Sequence, residues 1–166
     1  RDYSGCGCVE PIAPGRSFAS TNAAMVNMPI ILELALNEGR RFNSLIRSGV
    51  ATIPPSRMEA MADVTRAFEA QLRLIIGRLM TDLRALEEAN RDFHPTPFTS
   101  MLHEGCIESG RCTTAGGARY NFSGIQAVAP VGVGDALYAI EKVVFRERKI
   151  SLADLVKLLK RNIDDP

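Results

Sequence analysis

GGARYNFSGIQAVAP, residues 116 to 130, interrupts a chain that otherwise reads as helix and polar loop. Its glycines and its extended apolar run predict a buried strand flanked by loops. A second glycine-rich, strand-like stretch, SGCGCVEP, occupies residues 4 to 11. Helices dominate elsewhere, so function is expected in these two stretches, where loops are held by a rigid frame.

Working outward, residues 1 to 20 are rich in Gly, Pro and Ser and read as loop with a short extended piece. Ser20 or Thr21 is suited to cap a helix that runs to about Glu38 and stops at Gly39. Pro29 falls inside that span and predicts a kink or restart. Residues 39 to 55 form a polar connection ending in IPP. Ser56 and Glu59 then have the spacing of a capping box. Val64, Phe68, Leu72, Ile75, Leu79, Leu83 and Leu86 follow at helical spacing, one apolar stripe on a long helix. HPTPF, residues 94 to 98, ends it, because two prolines cannot continue a helix. A short helix is predicted around residues 97 to 108. Asp135 is placed to cap a helix bearing Leu137, Ile140 and Val144, and Ser151 with Asp154 opens another, with Leu152, Leu155, Leu159 and Ile163 inward.

The chain has 166 residues, of which 46% are apolar, enough for one domain with a sizeable core. Lys and Arg number 20 against 19 Asp and Glu. That balance argues against a nucleic-acid or membrane-surface binder, whose affinity would come from a basic face. No apolar run approaches the roughly 18 residues of a membrane span. Four cysteines (Cys6, Cys8, Cys106, Cys112) in a long helical chain suit reduced thiols in a cytoplasmic setting better than a disulfide scaffold. The chain opens at Arg1 and closes on NIDDP, which completes no element, and both ends predict an excerpt from a longer protein.

Within SGCGCVEP a thiol and a carboxylate stand two residues apart. On an extended segment such side chains point the same way, so Cys8 and Glu10 are expected to face one cavity. Cys6 joins them if the segment stays extended through Gly7. A carboxylate neighbour raises a thiol's pKa and disfavours a thiolate nucleophile. His94 and His103 are distant in sequence. A neutral thiol that exchanges a hydrogen atom has no such conflict, and the carboxylate beside it is then free to move a proton.

GCVEP (Gly7 to Pro11) resembles the active-site cysteine loop of glycyl radical enzymes, in the pyruvate formate-lyase-like branch that includes diol dehydratases and choline lyase. ELALNEGR (33 to 40), AFEAQL (67 to 72), HPTPF, and GCIESGR with GGARYNFSGIQ (105 to 126) resemble further family segments in the family's order. The resemblance implies an α/β fold: part of a ten-stranded α/β barrel of the glycyl radical enzyme type, mostly helical over these residues. Residues 1 to 166 would all belong to that one barrel domain, its cysteine-loop half, with the glycine-radical domain absent. Cys8 matches the cysteine that becomes a thiyl radical and abstracts hydrogen from the substrate. Glu10 matches the general base of the eliminating members. Tyr120, Asn121 and Phe122 match a barrel strand that supports or lines the pocket, and Asn22 stands where many relatives carry Asp.

The implied activity is that of an anaerobic, cytoplasmic glycyl radical lyase or dehydratase acting on a small molecule. The resemblance implies no cofactor bound by these residues. The radical would sit on a glycine loop of the form RVSGY, which this sequence lacks. A separate S-adenosylmethionine-dependent iron–sulfur activase would install it. The implied partners are the substrate, that activase and the remainder of the parent chain, in a homo-oligomer; these residues alone should not turn over. The alternatives within the family are a pyruvate formate-lyase-like acyltransferase, for which Cys-Gly-Cys is not the expected adjacent cysteine pair, and an arylacetate decarboxylase. An alternative of another class is a zinc-binding, non-catalytic helical interaction module. The C-x-C and C-x5-C spacings do not match the paired C-x2-C pattern that such a module favours.

Overall fold

The computed structural model describes residues 3–7 and 10–161, with the backbone alone for Cys6 and residues 20–22. The chain divides into two compact units, Arg1–Val26 with Leu79–Gln126, and Asn27–Arg78 with Ala127–Pro166.

The first unit contains the described strands. β1 (Ser4–Cys6) and β2 (Glu10–Ile12) pair antiparallel, with Ser4 opposite Ile12, Gly5 opposite Pro11 and Cys6 opposite Glu10. β3 (Ser17–Asn27) pairs with β4 (Tyr120–Val128), beginning where the Tyr120 N–H donates to the Arg16 carbonyl at 3.0 Å. The expected helix from Ser20 or Thr21 is therefore a strand over its first part. α1 (Met28–Leu36) starts later, with Asn27 as N-cap: its Oδ1 accepts from the Ile30 N–H at 3.2 Å, and Pro29 sits in the first turn. Proline's fixed φ and missing N–H suit that turn, so Pro29 starts the helix and does not kink it. Gly39 ends the region as expected, with φ +79° and its N–H on the Leu34 carbonyl at 2.8 Å.

α2 (Met61–Phe93) is the long helix the apolar stripe predicts. Val64 and Leu83 are buried, whereas Leu86 is exposed. The Ser56/Glu59 box does not form, because Pro55–Arg57 is a 3-10 turn. Asp63 closes the helix start instead, accepting from the Glu59 N–H at 2.9 Å and the Ala60 N–H at 3.0 Å. The Ala60 and Glu59 backbone donors, followed by the neighbouring Arg66, hold the Asp63 carboxyl below its ordinary pKa. Beyond Phe93 the single short helix expected is two, α3 (Pro97–Met101) and α4 (Cys106–Ser109), separated where Gly105 turns at φ +97°.

The second unit is built on α1, the start of α2, α5 (Pro130–Ile140) and α6 (Leu152–Lys160). Its core includes Ala35, Val64, Ile140, Val144, Leu152 and Val156. Asp135 lies inside α5, which starts at Pro130 after Ala129 at φ +57°, so the expected Asp135 cap is not one. α6 begins as read, with Ser151 Oγ accepting from the Asp154 N–H at 3.1 Å. Ile163 lies outside the described residues. Among the described residues of this unit, the Gln71 side chain is fully buried. Gln71 accepts from the Val50 N–H at 2.8 Å and donates to the Val50 carbonyl at 2.7 Å, pinning the loop to α2.

Candidate active site

Cys6 and Glu10 of SGCGCVEP do not lie on one continuous strand. Gly7 takes φ +63°, and the chain reverses so that Cys6 and Glu10 face each other in register across a hairpin. The extended reading fails at Gly7 because glycine alone enters the left-handed region without a Cβ penalty. Cys8 lies outside the described residues. The hairpin thus places Glu10 at the start of the strand that follows the loop containing Cys8.

Glu10 is half-buried, and its carboxylate is fixed from far along the chain. Gln126 Nε2 donates to Glu10 Oε1 at 2.6 Å. A Cβ built on Gly7 would stand 2.8 Å from Glu10 Oε2. One carboxylate oxygen is thus held by a neutral amide and the other packs over a glycine with no side chain to obstruct it. A neutral donor stabilises the anion without competing for the proton, which suits a proton acceptor.

Gln126 lies on β4, where side chains alternate between faces. Tyr120, Phe122 and Gln126 share one face. The Tyr120 and Phe122 rings stack with centroids 6.4 Å apart and planes within 6°, as two residues on one face allow. The Arg119 guanidinium stands 5.6 Å from the Tyr120 ring centroid. Asn121 falls on the other face, with its amide donating to the Ala118 carbonyl at 2.7 Å. The expectation of a buried strand does not hold, since Tyr120 is 44% and Phe122 58% exposed. Burial needs a layer over each face, and the exposure of these rings shows that the described residues do not supply one over this face of β4. Asn22 belongs to β3, paired with β4.

Asn121 and Ser123 help line a groove of about 450 Å³ with Arg84, Glu87, Arg91 and Arg111. Ser123 donates to Glu87 within it. Phe122 lines this groove as well, whereas Glu10 and Gln126 do not.

Glu104 is clasped by Arg16 at 2.9 Å and Arg119 at 2.6 Å, which ties the start of β3, the start of β4 and the loop before α4 together. The two arginines, Arg119 first, hold the Glu104 carboxyl below its ordinary pKa. Gly117 packs against the Arg111 carbonyl, where a Cβ would collide. Gly132 and Gly134 have open space on α5, so close packing does not explain them. Cys106 is buried, and desolvation raises its pKa. Cys112 accepts from Ser100 Oγ and the Thr96 N–H, each at 3.2 Å, and the Ser100 hydroxyl is the main cause that lowers its pKa. His103 is satisfied, with Nδ1 2.9 Å from the Thr99 carbonyl oxygen and its ring edge-on to Phe18. Among the described residues no three His, Cys, Asp or Glu side chains gather as a metal site.

Sequence reasoning singled out Glu10 but missed what holds it. The signal was present, since Gln126 closes the GGARYNFSGIQ stretch at even spacing from Tyr120 and Phe122.

The family model described as pyruvate formate lyase-like matches residues 1–165. The chain is 30% identical over 162 residues to (2S)-3-sulfopropanediol dehydratase of Klebsiella oxytoca and 33% identical over 158 residues to trans-4-hydroxy-L-proline dehydratase of Clostridioides difficile. These alignments cover 98% and 95% of this chain but 20% of each relative, so the chain spans about a fifth of their length. It superposes on the B12-independent glycerol dehydratase of Clostridium butyricum with a TM-score of 0.91 at 34% identity, over 97% of this chain and 20% of that one. A glycyl radical enzyme of Archaeoglobus fulgidus gives 0.88 at 36% identity, over 98% of this chain and 20% of that one. The hairpin, the helices and β4 therefore form part of the α/β barrel of glycyl radical enzymes, and the chain belongs to the pyruvate formate lyase-like family.

Proposed function

We propose that these residues are the cysteine-loop part of a glycyl radical lyase that eliminates a leaving group from a small hydroxylated molecule. The observation that carries the proposal is the anchored carboxylate: Gln126 Nε2 holds Glu10 Oε1 at 2.6 Å on the hairpin whose loop bears Cys8. In this reading the residues form one piece of a single barrel domain. The remainder carries the radical glycine, whose stored unpaired electron supplies the thiyl radical on Cys8. Tyr120 and Phe122 line the substrate side of β4, and Asn121 supports the strand through the Ala118 carbonyl.

The chemistry balances without an external oxidant. Cys8 takes a hydrogen atom from the carbon that bears a hydroxyl and becomes a neutral thiol. Glu10 takes the hydroxyl proton as the bond from the adjacent carbon to the leaving group breaks heterolytically. The product-related radical then takes the hydrogen atom back from Cys8. The proton on Glu10 leaves with the departing group, so the substrate is split with no net redox change. A neutral thiol and an anionic carboxylate coexist on one short loop in this scheme, which a thiolate nucleophile would not favour.

The activating partner is an S-adenosylmethionine-dependent iron–sulfur enzyme, and the assembled enzyme is a cytoplasmic, anaerobic homo-oligomer. No described helix is long and apolar enough to cross a membrane. The substrate is a small polar molecule with a hydroxyl next to the bond that breaks.

The test uses the full-length parent enzyme, activated anaerobically and offered glycerol, 1,2-propanediol, 3-sulfopropanediol and isethionate, each with a hydroxyl next to the bond that would break. Cys8→Ser should keep the glycyl radical signal in electron paramagnetic resonance and lose turnover of whichever compound the parent consumes. Turnover by Cys8→Ser would overturn the assignment.

A further inference from the structure

We infer that Gln126 is a positioning residue that fixes the Glu10 carboxylate in its proton-accepting orientation; the inference rests on the function proposed above and goes beyond it. The two residues are 116 apart in sequence, and their bond, at 2.6 Å, joins β2 to β4. It is therefore a tertiary constraint, set by how the hairpin meets the long strand and not by local chain geometry.

A glutamate at a strand start has three rotatable bonds and would otherwise sample several carboxylate positions. Here the bond from Gln126 restricts it, and the missing side chain of Gly7 leaves room for that one orientation. Gln126 holds Oε1, and Oε2 packs over Gly7, where even one added carbon would stand 2.8 Å away. Proton transfer needs the accepting oxygen within hydrogen-bond reach of the reacting hydroxyl, and misplacement by about 1 Å costs on the order of 10²-fold in rate. Glutamine donates to a carboxylate without carrying charge, so it stabilises the anion less than an arginine would and leaves the carboxylate basic enough to take a proton. Across the hairpin the backbone of Cys6 stands opposite Glu10 in register, and Tyr120 shares the β4 face of Gln126 further along the strand.

The test uses the activated full-length parent enzyme and the substrate it consumes. Gln126→Leu removes the donor at nearly constant volume. Expected are an unchanged glycyl radical spin count, a kcat lower on the order of 10²-fold, and a KM within about threefold of wild type. The acidic limb of the kcat/KM profile should move to higher pH, because the anion loses a donor that favoured it. Should Gln126→Leu fail to fold, Gln126→Glu retains the shape of the side chain. Two adjacent carboxyl groups cannot both ionise readily, so that variant should move the acidic limb higher still. A normal spin count with unchanged kcat and an unmoved limb would overturn the inference, and so would a rise in KM alone, which would make Gln126 a substrate-binding residue. Glu10→Gln separates the two levels. If that variant turns over normally, the function proposed above fails; if it is inactive while the Gln126 variants behave as wild type, only the positioning role fails.

Discussion

Glu10 Oε2 sits 2.8 Å from the point a Cβ on Gly7 would occupy, and Gly7 is at φ +63°. Two demands meet at that glycine. The hairpin needs a residue that enters the left-handed region, and the carboxylate needs the space. Gly7→Ala should cost about 1–2 kcal/mol from backbone strain and push the carboxylate off Gln126. In the activated parent enzyme we expect the radical to form and turnover to fall on the order of 10²-fold. Wild-type turnover by Gly7→Ala would show that the carboxylate has room to move without consequence.

Gln71 tests the frame of the second unit. Its side chain is fully buried and satisfies both the N–H and the C=O of Val50. Gly39 and Gly49 pack into the same place, where a Cβ on either would collide with Val50 and Gln71 respectively. Gln71→Leu keeps the volume but strands two backbone groups away from water, at a cost of about 2–4 kcal/mol. The checking measurement is the midpoint of urea unfolding, which should fall; an unchanged midpoint would mean that water reaches Val50.

These two residues also mark how far the sequence can be read. Periodicity reveals α2, because an apolar stripe sustained at helical spacing fits neither a strand nor a loop. The Ser151–Asp154 cap is legible because donor and acceptor are three residues apart. The start of α1 is not, since Ser20, Thr21 and Asn27 are all good local caps. Strand pairing with β4, a long-range choice, leaves Asn27 to act. The same holds for Asp63, which displaces the Ser56/Glu59 box after the two prolines set a 3-10 turn. In the site, the GCVEP motif identifies Glu10. The bond to Gln126 stays hidden because it depends on where β2 meets β4.

Cys106 and Cys112 should differ in reactivity. Burial raises the pKa of Cys106, with Cys112 and Glu108 adding to the shift. At Cys112 the Ser100 hydroxyl and the Thr96 donors outweigh desolvation and lower it. Donors to the sulfur favour the thiolate, so its fraction grows at lower pH than for an ordinary thiol. Alkylation by iodoacetamide, read by peptide mass spectrometry across pH, should modify Cys112 first and reach its plateau at lower pH. Ser100→Ala should shift that plateau upward. Equal rates at both cysteines would contradict this reading of the Thr96–Ser100–Cys112 cluster.

The central assignment is Glu10 as the group that accepts the substrate's proton. The direct measurement is turnover per glycyl radical in the activated full-length enzyme carrying Glu10→Gln, whose amide fills the same space without basicity. We predict a radical spin count equal to wild type and a turnover lower by about 10²- to 10⁴-fold, the usual contribution of a general base. Turnover within tenfold of wild type at equal spin count would contradict that assignment.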